Sequence, residues 1–279
     1  MEKILLAIDA INPDRKALEF ACYLGRLTKS KITGIFLENL VEEERLVLKE
    51  VRGKEFMELA LDEDSDEYKV KTALINNNIA CFKEACTARE VSYKVHRDRG
   101  TPTTEILKES RFADVLVVDA ATSFDKHYKS TPTEFIKNIL KGSECPVIIA
   151  PEHFEGIDEI IFTYDGSSSA VFAMRQFTYL FPQFRHMKLS IVTENEAGEW
   201  QDPEKYNLKE WLNEHYSNFH FEVVKGNTDR KLFDHVCNRK NSFLVMGAYS
   251  RSALSQFFQR SHADILIRTG SQPIFITHL

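Results

Sequence analysis

Hydrophobic and polar positions divide the chain into two kinds of segment. Short runs of Ile, Val, Leu and Phe (4–8, 32–37, 114–118 and 146–150) lack polar alternation, as strands covered on both faces of a parallel sheet do. Segments with helical spacing lie between them. After the first run, Ala17, Ala21, Leu24 and Leu27 share one face, with Asn12 as the expected cap and Pro13 at a first-turn position. Later in the chain, Ser167 to Ser169 offer caps and Ala170, Met174, Phe177 and Phe181 form the stripe. Strands alternating with helices predict open parallel α/β sheets with right-handed crossovers. Ligands in such sheets bind at the carboxyl ends of strands where the strand order reverses, which draws attention to the residues just after strands one and four.

The pattern occurs twice. KILLAID (3–9) aligns with EIIFTYD (159–165), ADVLVVDA (113–120) with NSFLVMGA (241–248), and GSECPVIIA (142–150) with GSQPIFITH (270–278). A chain of 279 residues exceeds the usual single domain of about 100 to 200, and the repeat divides it into domains 1–152 and 153–279. The first copy is the longer, mostly through the acidic stretch 38–69. That stretch reads as a solvated helix and loop with negative charge, open to a basic partner.

Composition narrows the function classes. Hydrophobic residues make up 43% and charged residues 28%, ordinary for a chain that buries a real core. A net charge of −6 gives no support for non-specific nucleic-acid binding. No apolar run approaches the roughly 20 residues of a membrane span, and the N-terminus lacks the features of a secretory signal. Cysteines stand at 22, 81, 86, 145 and 237, an odd number with no CxxC pair. Cys22, Cys86 and Cys237 fall inside amphipathic helical patterns, where a reduced cysteine acts as a small hydrophobe. A reducing, cytoplasmic setting is the expectation.

The strand-end residues carry a family resemblance. After strand one stand Asp9 and Asp165, the latter in YDGSSS; after strand four come Asp119-x2-Thr122-x9-Pro132-Thr133 in the first half and Gly247-x2-Ser250-x9-Arg260-Ser261 in the second, each before a helix and a Pro-led final strand. This resembles two tandem copies of the universal stress protein family, which has an aspartate after the first strand and a G-x2-G-x9-G-[S/T] loop after the fourth. The resemblance implies two open parallel five-stranded sheets, each ordered 3-2-1-4-5 between helices. They would pair through Pro146–Ala150 and Pro273–His278 as an internal pseudo-dimer, with a further homodimer open to it. An apolar last strand needs such a cover in any case, because an uncovered edge invites self-association.

Where the family binds ATP, loop amides hold the phosphates, so the resemblance implies either ATP or another adenine nucleotide with Mg²⁺, or no cofactor. Carried over residue by residue, Asp165, Gly247 and Ser261 match in the second half, while Ser250 and Arg260 replace two glycines. Ser250 offers a hydroxyl, and Arg260 with Arg251 offers guanidinium forks for an anion; solvated or ion-paired arginines are the plainer alternative. In the first half Asp119 replaces the first glycine and is expected near Asp9, and like charges there disfavour a nucleotide. Lys126, His127 and Lys129 would neutralise them in a collapsed pocket.

Other constellations are weaker. No HxH or HxxxH pair supplies metal spacing, so His127, His153 and His262 are poor metal candidates. The YDGSSS serines read as helix caps more readily than as nucleophiles. Three readings stay open: a stress-response binding and regulatory protein with an unknown protein partner, a modified nucleotide or anion site in its second domain and no catalytic residue; an interaction module without nucleotide; and a weak metal-dependent ATPase or nucleotide hydrolase.

Overall fold

The computed structural model describes residues 1–39, 45–51, 54–60, 65–124, 132–226, 229–247 and 272–277. The first half runs β1 (Lys3–Asp9), α1 (Arg15–Thr28), β2 (Lys31–Asn39), β3 (Arg45–Val51), β4 (Lys54–Ala60), α2 (Asp66–Ala88), β5 (Tyr93–Gly100), α3 (Pro102–Ser110), β6 (Val115–Val118), α4 (Glu134–Gly142) and β7 (Val147–Ile149). The second runs β8 (Glu159–Thr163), α5 (Ser168–Leu180), β9 (Lys188–Asn195), α6 (Asp202–His215), β10 (Phe219–Lys225), α7 (Asp229–Cys237), β11 (Ser242–Gly247) and β12 (Ile274–Thr277).

Ten strands form one sheet in the order β10-β9-β8-β11-β12-β7-β6-β1-β2-β5. Neighbours within each half are parallel, and the halves meet where β12 and β7 run antiparallel, Phe275 opposite Ile148. The sequence divides into two sheets on paper; in the fold they are continuous.

The apolar runs are uninterrupted because both sheet faces are covered. Along β1, Ile4, Leu6 and Ile8 join one core while Leu5 and Ala7 join the other, the two-residue period of a strand. Each core crosses the junction. On one side Phe20 of α1 lies 6.2 Å from Phe243 of β11, ring to ring, and Phe177 of α5 packs edge-on to Phe243 and Phe275. On the other, Ile136 and Ile139 of α4 share a cluster with Leu244, Ile274 and Ile276. Cys22, Cys86 and Cys145 are free thiols buried in these cores, whereas Cys81 is exposed.

Two expectations need correction. The cap of α1 is Asp14, whose Oδ1 accepts from the Ala17 amide at 2.6 Å. Asn12 belongs instead to a turn closed by Asp9, whose Oδ1 accepts from the Ile11 and Asn12 amides. The acidic stretch is not a helix and loop: β3 and β4 form a separate antiparallel hairpin, with Leu46 opposite Leu59 and Leu48 opposite Met57. Two residues, Arg52 and Gly53, separate the strands, the length that favours a tight hairpin. High acidity hid a two-residue alternation that the register uses. Among its described residues, only the end of the stretch is helical, from Asp66, behind a Ser65 cap.

Candidate functional site

At the carboxyl end of β8, the backbone turns sharply. Only Gly166 and Ser167 separate Asp165 from α5, and Gly166 takes φ +81°, a conformation that favours glycine. Asp165 is exposed, and its Oδ1 accepts from the Ser167 amide at 3.0 Å. Ser167 in turn caps α5 through the Ala170 amide at 3.1 Å. The short turn brings the first turn of α5 directly against Gly247 at the end of β11. A Cβ added at Gly247 would lie 2.5 Å from the backbone carbonyl of Ser169 and 2.6 Å from the Ala170 amide nitrogen. Packing therefore requires the glycine here, before any ligand is considered.

Beside this turn is a cavity of about 270 Å³ between α5 and α6. Tyr164, Met174, Leu208 and Trp211 supply apolar walls, and Arg175 and Glu204 stand at its lining. Tyr164 stacks on Trp200 with ring centroids 5.4 Å apart. Burial, with the Glu204 and Asp165 charges, raises the Tyr164 hydroxyl above the ordinary tyrosine range. Of the predicted site residues, Asp165 and Gly247 meet at this edge, while Ser250, Arg251, Arg260 and Ser261 lie outside the described residues.

The first half differs at the corresponding edge. Five residues, 10–14, separate Asp9 from α1, and Asp119 occupies the position of Gly247. Its Oδ2 accepts from the Ala121 amide at 3.2 Å and from the Thr122 hydroxyl. Thr133 is buried; it donates to the Thr122 carbonyl and caps α4 through the Ile136 amide. Asn39 closes the edge further by donating to the Phe124 carbonyl at 3.2 Å. Burial raises the Asp119 carboxyl above the ordinary aspartate range, and Asp14 and Glu152 push it the same way. Its acidic neighbours thus include Asp14 and Glu152, and its own loop amide and hydroxyl stabilise the charge. Lys126, His127 and Lys129 lie outside the described residues.

A third constellation escaped the sequence reading. At the opposite end of the second-half strands, Glu159 opens β8, Ser190 lies on β9, His220 and Glu222 lie on β10, and His235 and Arg239 come from α7 and the residues after it. Arg239 donates to Glu159 at 2.9 Å and to Glu222. His220 Nε2 is 2.6 Å from Glu222 Oε1, and His235 Nε2 is 3.0 Å from Glu222 Oε2. Burial pushes the Glu222 carboxyl up, but hydrogen bonds from Arg239, His235 and His220 outweigh it and hold it at about 2. Glu159 is likewise held low against burial by Ser190, Lys188 and Arg239. The readable signal was His220-x-Glu222 inside a strand, because a two-residue step places both side chains on one face.

Fold and edges together define an α/β protein with a mostly parallel sheet flanked by helices, whose two halves end in unequal strand-end edges. Among solved structures, the chain is similar to a universal stress protein from Archaeoglobus fulgidus DSM 4304 (TM-score 0.70, 19% identity, 99% of this chain and 96% of that one). It is also similar to a protein described as a universal stress protein from Pseudomonas aeruginosa UCBPP-PA14 (TM-score 0.53, 13% identity, 100% and 93%). The universal stress protein fold therefore extends from end to end of the chain. No family model matches the sequence, and no curated protein does. No helix among the described residues is long and apolar enough to cross a membrane.

Proposed function

We propose that the chain is a stress-response binding and regulatory protein of the universal stress type. On this reading its domains are 1–152 and 153–279, paired as an internal pseudo-dimer through β7 and β12. The second domain binds an adenine nucleotide or a related anion, with Mg²⁺ as the counter-ion of a polyphosphate. The observation that carries this is the asymmetry of the two edges. The first is closed by its own loop through Asp119, Thr122, Thr133 and Asn39. The second presents an exposed Asp165, the capped N-terminus of α5 and an aromatic-walled cavity beside them.

The chemistry of such an edge suits an anion. The first amides of a helix carry partial positive charge and favour phosphate, while a carboxylate such as Asp165 accepts hydrogen bonds from ribose hydroxyls. Ser250, Arg251, Arg260 and Ser261 complete the site by sequence position. Ligand binding would order the edge, and an altered surface would then be read by a protein partner.

The test is calorimetry and thermal melting of the full chain with ATP·Mg²⁺. Binding raises the melting temperature with ligand concentration, and Asp165→Ala removes the effect. An unchanged melting temperature at millimolar ATP would sink the nucleotide reading. Asp165 is the informative position, because any side chain at Gly247 also collides with α5. The reading as an interaction module without nucleotide draws on that same collision, since packing alone accounts for the glycine. It predicts a partner recovered by pull-down whose binding does not respond to ATP.

A further inference from the structure

The polar network at the amino-terminal end of the second-half strands gathers more lone-pair donors than an ion-paired surface requires. Glu159, His220 and Glu222 each place one ligand atom within 4.8 Å of the other two. A fourth, His235 Nε2, stands 3.0 Å from the second oxygen of Glu222. The four come from three separate elements, β8, β10 and α7, so their convergence is a product of the fold rather than of one local motif. Ser190 sits behind them, within hydrogen-bond reach of both Glu159 and His220.

A guanidinium lies in the middle of this set. Arg239 reaches Glu159, Ser190, Glu222 and His235 at once. His235 Nε2 stands between Arg239, at 2.7 Å, and Glu222 Oε2, at 3.0 Å; it can present a lone pair only to the guanidinium and a proton only to the carboxylate. The two carboxylates are matched in charge by Arg239 and by Lys188, whose Nζ is 3.1 Å from Glu159 and whose side chain is half exposed. One divalent ion carries the same charge as those two side chains.

We propose that Glu159, His220, Glu222 and His235 form a binding site for a divalent transition-metal ion of the zinc class, with Arg239 as the counter-charge that the ion displaces. Two imidazole nitrogens with two carboxylate oxygens suit zinc and its transition-metal neighbours, whereas magnesium and calcium favour sets made of oxygen alone. Ligand atoms about 2.0–2.2 Å from zinc in a tetrahedral shell lie roughly 3.3 Å from one another; Glu159, His220 and Glu222 already lie within 4.8 Å of one another, and closing the shell requires Arg239 to withdraw and His235 to swing in beside Glu222. The metal would tie α7 to β8 and β10. It lies at the far end of the strands from Asp165 and Gly247, so the proposal does not depend on the nucleotide reading.

The experiment uses the full chain in a Cys81→Ser background, which removes the exposed thiol as a competing ligand. After chelator treatment, Zn²⁺ is titrated calorimetrically and Co²⁺ is followed by visible absorption. One ion per chain is expected, with the intense absorption of a tetrahedral cobalt site. The His220→Ala/His235→Ala pair should weaken binding by at least about tenfold, and Arg239→Met should strengthen it by removing the competing cation. In the protein with all nine histidines intact, ring-nitrogen NMR should show two histidines shifting together on Zn²⁺ addition, a readout that needs no variant to fold. Zn²⁺ affinity unchanged in the double variant, or no pair of histidines shifting, overturns the proposal.

Discussion

The two strand-end edges are built on one topology and reach opposite solutions. In the second half, a two-residue turn that includes a left-handed glycine sets α5 so close to β11 that the final position of β11 admits no side chain. In the first half, a five-residue turn leaves room for Asp119, which its own loop then satisfies. The residue after the fourth strand thus goes with the length of the turn after the first, in a distant part of the sequence. Glycine at this position therefore has two explanations that a sequence cannot separate, close approach of a ligand and close approach of a helix.

The largest effect that tests this contrast is Gly247→Ala. Its Cβ would meet immovable backbone, and overpacking of this kind costs about 1–3 kcal/mol or more, readable as a lower urea midpoint. Lengthening the second turn by replacing Gly166–Ser167 with the first-half sequence 10–14 should recover part of that loss. A neutral Gly247→Ala would break the comparison outright. Next in size are the helix caps, Asp14→Ala and Ser167→Ala. Both caps make the same bond to a first-turn amide, so each should cost about 1 kcal/mol. Equal losses by urea denaturation would locate the asymmetry in turn length and not in capping, and a much larger loss at one cap would shift it there.

The smallest effect concerns Asp119. Its carboxyl is raised in the folded state by burial and by Asp14 and Glu152. A raised acid favours folding below its unfolded value, and that contribution is lost as pH rises through the folded value. Asp119→Asn should therefore stabilise the protein at neutral pH, with the gain shrinking as the buffer is taken down through the aspartate range. Melting temperatures of both proteins between neutral and acid pH supply the check. A gain that grows on acidification would reverse the assignment.

The strands over 4–8, 32–37, 114–118 and 146–150 were legible as uninterrupted apolar runs, and the buried stripes of α1 and α5 as helical periodicity, signals that survive without tertiary information. The hairpin at 45–60 was not, because charge dominated the reading of a segment whose alternation spans only seven residues per strand. The Asp14 cap was missed because Asn12 and Asp14 are both good caps by type, and only the turn closed by Asp9 decides between them. The histidine and glutamate cluster was hidden for another reason. Its members are spread from Glu159 to Arg239, and spacing rules see ligands only when one element carries them.

The antiparallel meeting of β7 and β12 has a consequence for assembly. It covers the apolar last strand of each half, so the sheet ends at β5 on one side and β10 on the other. Those outer strands carry Lys94, His96, Arg97, Asp98 and Arg99, and His220, Glu222 and Lys225. Charge at that density discourages another strand from adding on. By using its two sticky edges on each other, the molecule terminates its own ten-stranded sheet, and the charge on the outer strands works against extending it.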